Sequence, residues 1–387
     1  MLICTASSGE PWIPSPRCWP CWTKKEWIKV NSFTAILNQA LTEERLDQSA
    51  IKILLSARGE QVSELFAAAN RVRRSGVGDA VHLRAIIEYS NYCRKNCLYC
   101  GLRRDNKTLP RYRLALADIL DAAGRAASLG YRTVVLQSGE DPYYSAADIA
   151  RLVEQIKDRQ DLAVTLSLGE YSRETYRTWR EAGADRYLLK QETSDPVLFK
   201  YLKPDGSLQN RLQCLHWLKE LGYQTGSGNM VGLPGQTSAT LAGDIALMRE
   251  LDVEMAGIGP FLPHQDTPLR SAAPGKLETT LVTLAVARLC LPRAHLPATT
   301  SLGTLTPEGY KLALGCGANV IMPNLTPAEV RHKYMIYPQK ADIRDDPVKA
   351  KKNIEMLLAS LARPLAADYG HAPECCRRDT LAGAPTN

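Results

Sequence analysis

Residues 88–104 read EYSNYCRKNCLYCGLRR and follow without a break on the apolar run 81–89. That run reads as a strand, so Cys93, Cys97 and Cys100 fall in one tight loop directly after it. Three thiolates this close suit a metal or a cluster. A 4Fe-4S cube normally takes four cysteine ligands, so a loop offering three leaves one iron open to another ligand. A structural zinc knuckle is the alternative. It would ordinarily close with a fourth Cys or His, and no His or further Cys lies between Tyr89 and Tyr131.

Outward from the loop the pattern repeats. Strand-like runs recur at 133–137, 163–168, 186–189, 224–230, 255–259, 296–300 and 319–322. Amphipathic segments follow at 114–129, 146–156, 172–182, 208–221, 237–251, 277–291, 307–314 and 327–334, which makes eight βα units. Helical segments that end at Gly130, Gly183, Gly222 and Gly317 carry the glycine stop expected before a strand. Eight alternations with short connections predict an α/β fold, a single (β/α)8 TIM-type barrel over residues 79–340. Residues 31–78 show apolar positions at helical spacing (Phe33, Ile36, Leu37, Leu41) and read as a short helical N-terminal cap. Residues 341–387 read as a C-terminal helix at 347–361 and a polar tail with Cys375 and Cys376. Residues 1–30, rich in Pro, Trp and Cys, read as a disordered tail; the Cys18-x-x-Cys21 pair there has no βα unit after it, as a thioredoxin-like motif would need.

Composition narrows the function. With 45% apolar and 23% charged residues and no apolar run near the roughly 18 residues that span a bilayer, the chain reads as a soluble cytoplasmic protein. Eleven cysteines, an odd number scattered through a chain without an export signal, point to reduced thiols and metal ligation in place of disulfides. The net charge of +7 is spread along the chain, which argues against nucleic acid as the partner and leaves a small anionic ligand as one use of the excess.

In a barrel of this type functional groups lie at the C-terminal ends of strands. Those ends read Gln137-Ser138-Gly139-Glu140, Thr165 and Ser167 through Glu170, Lys190-Gln191-Glu192, a glycine-rich 226–235, 257–264 with His264 as a minor candidate, Thr299-Thr300-Ser301, and Met322-Pro323-Asn324. Lys190 and Glu192 at one strand end would put charge in the mouth of an apolar barrel, where it needs a partner or a charged ligand. Small polar ends all round describe a chamber for a polar small molecule with the cluster at its rim.

The Cys-x-x-x-Cys-x-x-Cys spacing, with Tyr99 before the last cysteine, resembles the radical S-adenosylmethionine (SAM) superfamily. More specifically, SNYCRKNCLYCGLRRDN (90–106), VVLQSGEDPYY (134–144), LSLGE (166–170), RYLLKQET (186–193), GNMVGLPGQT (228–237), GIGPFLPHQDTPL (257–269), LPATTSLGT (296–304) and ANVIMPNLTP (318–327) together resemble the HydE family of FeFe-hydrogenase maturases. The resemblance implies one 4Fe-4S cluster on Cys93, Cys97 and Cys100, with SAM on the open iron. It implies Tyr99, Ser138, Gly139, Glu140, Ser167, Glu192 and Arg211 near SAM, and Gln137, Met255, Thr299, Thr300, Tyr334 and Tyr337 around an inner chamber, with Lys190 at an anion-binding position. It further implies an external electron donor, an anionic cysteine-bound iron carbonyl-cyanide substrate supplied by the partner maturase HydG, and delivery towards the scaffold HydF.

Two departures stand out. Lys190-Gln191 occupies the place of the family's common Arg-His, which keeps a charge but loses the bidentate fork. No cysteine follows Tyr337-Pro338-Gln339-Lys340 until Cys375, so a second, peripheral cluster is not expected. A methylornithine synthase-like mutase and, in a different class, an iron-sulfur carrier are the competing readings; a carrier would have no need of the polar strand ends.

Overall fold

The computed structural model describes residues 32–42, 45–340 and 346–373, so the predicted tail at 1–30 and the Cys375-Cys376 pair lie outside the described residues. Three helices come first, α1 (Phe33–Leu41), α2 (Gln48–Leu55) and α3 (Glu60–Val77). Strands and helices then alternate: β1 (His82–Leu83), β2 (Ala85–Ser90), α4 (Leu116–Ser128), β3 (Thr133–Ser138), α5 (Ala146–Arg159), β4 (Ala163–Ser167), α6 (Arg173–Glu181) and β5 (Arg186–Leu188). They continue with α7 (Pro196–Leu202), α8 (Leu208–Glu220), β6 (Gln224–Val231), α9 (Ser238–Glu250), β7 (Met255–Pro260), α10 (Leu277–Cys290), β8 (Pro297–Ala298), α11 (Thr300–Leu305), α12 (Gly309–Gly315), β9 (Val320–Ile321), α13 (Ala328–Arg331) and α14 (Pro347–Ser360). Among the described residues no helix is long and apolar enough to cross a membrane.

All strand pairs are parallel. Six strands form one sheet in the order β2-β3-β4-β5-β6-β7, and three form another in the order β1-β9-β8. The first predicted strand is therefore split at Arg84, its start pairing with β9 and the remainder with β3. Backbone bonds cross both seams: Ile86 N–H donates to Pro323 O at 2.8 Å and Leu325 N–H to Ile86 O at 2.7 Å, while Ala256 N–H donates to His295 O at 3.0 Å and His295 N–H to Glu254 O at 2.9 Å.

Local signals explain most boundaries. Gly130, Gly183, Gly222 and Gly317 all have positive φ, the conformation a helix stop requires. Ser145, Ser172, Ser207 and Thr237 accept N-capping bonds from backbone amides three residues on. Where reading and structure differ, the segment is short. The segment expected at 327–334 is the single turn α13, and beside α12 a separate α11 starts on the hydroxyl residues Thr300 and Ser301 after β8. Helix α7 was not anticipated, although Asp195 caps Val197 and Leu198 amides and Pro196 opens the first turn.

Helices α2 and α3 pack over α10, which is why ten consecutive residues of that helix, Thr280 to Leu289, are buried. Beneath the strands the chain from Pro364 to Ala372 runs as a strap: Val81 N–H donates to Pro364 O, Thr133 Oγ1 and Arg186 to Tyr369 O, and Arg84 to Gly370 O, all within 3.0 Å. Arg288, fully buried, ties α10 to the start of the smaller sheet by donating to the carbonyls of Gly317, Leu291, Pro292 and Ala294 and to Asn319 Oδ1. Arg288→Met keeps most of the volume and strands those acceptors, so we expect a loss of at least about 2 kcal/mol, read as a lower urea midpoint at constant m.

Candidate functional site

The strand ends enclose a cavity of about 360 Å³. Register decides what faces it. Glu88, Gln137 and Ser167 are neighbours across β2, β3 and β4, and Ile86, Val135 and Thr165 form the layer beneath; all six line the cavity because side chains alternate along a strand. The opposite wall is glycine. A Cβ on Gly228 would stand 2.1 Å from Gly257 O and 2.8 Å from Lys190 Cε, and one on Gly257 would stand 3.2 Å from the same Cε. The missing side chains give Lys190 room to lie along this wall.

Cys93, Cys97 and Cys100 reach the cavity at its mouth. Their loop is clamped by Arg111, which donates to the carbonyls of Asn91, Leu102, Arg103 and Asn106, and by Asn91, whose amide donates to Pro110 O at 2.9 Å and Lys333 O at 2.8 Å. The loop runs so close to the end of β3 that a Cβ on Gly139 would come within 2.1 Å of Tyr92 O and 2.8 Å of Cys93 Cβ. Burial pushes the Cys93 thiol up to about 11, with Cys97 adding to the effect, and burial raises Cys100 as well. Thiolates at Cys93 and Cys100 are thus unfavourable here without cationic metal, which fits an iron cluster better than free reactive cysteines. Among the described residues no three His, Cys, Asp or Glu side chains converge on one metal ion. A cube asks for something else, one iron for each thiolate.

An ion network on buried carboxylates joins the loop to the strand ends. Lys95 Nζ lies 3.0 Å from Glu170 and 3.7 Å from Glu140, Arg94 Nε 3.2 Å from Glu140, and Arg211 Nε 2.7 Å from Glu170. Burial alone would raise the Glu170 carboxyl, but Arg211 and Lys95 override it and hold the group down at about 2. Beside this network Tyr99 donates to Glu192 at 3.3 Å, and Glu192 sits at φ 68, a conformation rare outside glycine. Its backbone is held by bonds to Gly228 O and from Met230 N–H. Strain of this kind concentrates where a ligand is gripped.

Deeper in, Glu88 pairs with Lys340 and accepts from Asn324 Nδ2 at 2.8 Å; the Lys340 ammonium stands 5.1 Å from the Tyr334 ring centre, and Tyr334 OH accepts from Gln137 at 3.4 Å. Thr299 and Ser301 share a hydrogen bond of 3.0 Å, and Met255 Sδ takes one from Arg84. Burial pushes the Lys190 ammonium down, opposed by Glu192.

Every site residue that the family resemblance implies lines this one cavity, from the three cysteines and Tyr99 through Glu192 and Arg211 to Thr300, Tyr334 and Tyr337. Gln191 does not. Its buried amide donates to Asp244 O at 2.9 Å and accepts from Ser227 at 2.8 Å, so only Lys190 of the departing pair meets the cavity. His264 is buried, stands against Gly101 beneath the cysteine loop, and lies outside the lining. Sequence reasoning missed Glu88, Lys340 and Arg84 as lining groups, whereas Thr165, read at a strand end, does line the cavity. A lone acid inside AIIEYS was the available signal for Glu88.

Because the folded Glu170 carboxyl titrates near 2 against an ordinary 4.5, its stabilising effect is complete above about pH 4.5 and fades as pH falls towards 2. The stability gap between the metal-free wild type and Glu170→Gln should therefore narrow over that range in urea unfolding. A gap independent of pH would show that the charge is not what matters.

Residues 87–248 match the radical SAM superfamily. The chain is 49% identical over 333 residues to the FeFe-hydrogenase maturase subunit HydE of Thermotoga maritima, covering 86% of this chain and 95% of that one. It is 28% identical over 326 residues to 3-methylornithine synthase of Methanosarcina barkeri, covering 84% and 92%. The crystal structure of methylornithine synthase (PylB) superposes with a TM-score of 0.75 at 26% identity, covering 86% of this chain and 97% of the other. With its cysteine loop at the mouth of the strand-end cavity, the chain is a radical SAM enzyme and belongs to the HydE family of FeFe-hydrogenase maturases.

Proposed function

We propose that the two sheets act as one closed (β/α)8 barrel in which a small anionic precursor of the hydrogenase H-cluster, a cysteine-bound iron carbonyl-cyanide unit, undergoes radical chemistry in the reducing cytoplasm. The observation that carries this reading is convergence: the cysteine loop, the polar strand ends and the 334–340 segment meet in one cavity. Cys93, Cys97 and Cys100 would hold a single 4Fe-4S cluster. Tyr99, Ser138, Gly139, Glu140, Ser167, Glu192 and Arg211 would hold SAM, with the strained Glu192 fixed by Tyr99 and the backbone of β6. Bound together, cluster and SAM supply a 5′-deoxyadenosyl radical once an external donor provides an electron.

The deeper wall would take the substrate. Lys190 presents its charge along the glycine face, and Thr299, Thr300, Gln137, Met255, Tyr334 and Tyr337 surround the remaining space. The sheets and the strap beneath them exclude water, which protects a radical from being quenched. The family resemblance supports HydG as supplier and HydF as acceptor. Likeness to methylornithine synthase supports a second reading, a mutase acting on lysine.

Anaerobic reconstitution should load about four irons per chain. With reductant and SAM, wild type should release 5′-deoxyadenosine and change the cluster's EPR signal, and Cys97→Ser should do neither while remaining folded. Lysine-stimulated cleavage that yields methylornithine would replace the maturase reading by the mutase. Absence of any cleavage or spectral response would leave an iron-sulfur carrier.

A further inference from the structure

We propose that the outer side of the cysteine loop and the exposed side of α7 form the docking surface for a small acidic one-electron carrier protein. The inference rests on the reading of Cys93, Cys97 and Cys100 as cluster ligands and goes beyond it to the partner that reduces the cluster. Electron tunnelling falls off exponentially with distance, so the carrier must meet the protein where this loop reaches solvent.

Charge favours an acidic partner there. Residues 88–113 contain seven Arg or Lys and two Asp or Glu. Arg94, Arg104, Lys107 and Arg113 are exposed. Glu140 and Asp141, the partners of Arg94 and Arg113, are buried beneath the loop, and Asp105 and Asp205 offset Arg104 at 3.5 and 3.7 Å. Helix α7 is bound directly to the loop. Leu98 N–H donates to Leu202 O at 2.8 Å, Asn96 N–H to Asp205 at 3.0 Å, and Leu198 and Leu202 pack in one apolar cluster with Leu98 and Tyr99. The other side of the helix puts Val197, 78% exposed, and Tyr201, 51% exposed, one turn apart in solvent with Lys200 beside them. A single exposed apolar side chain needs no explanation, but a pair next to the point of electron entry, inside a basic surround, matches the small, electrostatically steered contacts of electron-transfer partners. The step itself moves one electron: the carrier is oxidised by one, the cluster is reduced by one, and no bond or proton changes place.

Flavodoxin in its hydroquinone form is the probe. Fluorescence anisotropy of labelled flavodoxin should report saturable binding to the cluster-loaded protein, weakening between about 50 and 200 mM salt. Lys107→Glu with Lys200→Glu, and separately Val197→Asp with Tyr201→Asp, should each weaken binding about tenfold and slow cluster reduction by flavodoxin in proportion. Iron content, circular dichroism and dithionite-driven SAM cleavage should stay at wild-type levels. Affinity unchanged in both double variants, or no binding by wild type, overturns the docking surface. Loss of dithionite-driven cleavage in the wild type overturns the cluster reading instead, so the two failures are separable.

Discussion

The site depends on two carboxylates that the fold takes out of water together. Glu140 and Glu170 end neighbouring strands, and both are buried. Alone, either carboxylate would be costly there; with Arg94 and Lys95 reaching down from the cysteine loop and Arg211 reaching across from α8, each finds a partner. The position of the loop over the cavity is therefore set by β3, β4 and α8 as much as by the loop's own sequence. The backbone repeats the arrangement, since Arg94 N–H donates to Glu140 O and its guanidinium to Glu170 O. The loop that carries Cys93, Cys97 and Cys100 is thus held in place by side-chain and backbone contacts to its neighbours.

Much of this was legible in the residues. The cysteine spacing, the run of βα units and the four glycine stops are local patterns, and local patterns survive in a sequence because a few adjacent residues carry them. The strand-end rule then selected polar residues that share one cavity. The Glu88–Lys340 pair could not be found that way, because its partners are 252 positions apart and neither breaks a periodicity strongly. Arg111 looked like one basic residue among many, and its role as a clamp exists only once the loop has curled four carbonyls towards it. The split of the first strand at Arg84 was equally hidden, since pairing with two different sheets leaves no mark on an apolar run.

The departure at Lys190-Gln191 now has a physical reading. Gln191 belongs to the packing between β5 and α9, where it bonds Ser227 and Asp244. Lys190 lies against a wall without side chains, so its ammonium can be placed by what the cavity contains, whereas a guanidinium fork would demand a fixed partner geometry.

The strap beneath the strands links the cavity to the order in which the chain is made. Val81 opens the first strand, yet its backbone partners are Pro364 and Ala366. Arg84, on the cavity floor, donates to Gly370. Synthesis runs from the N-terminus, so every strand can be in place while the floor remains open until residues near the end of the described chain emerge from the ribosome. The chamber is completed by late, long-range contacts, so its floor closes only after the residues of the strap have been made.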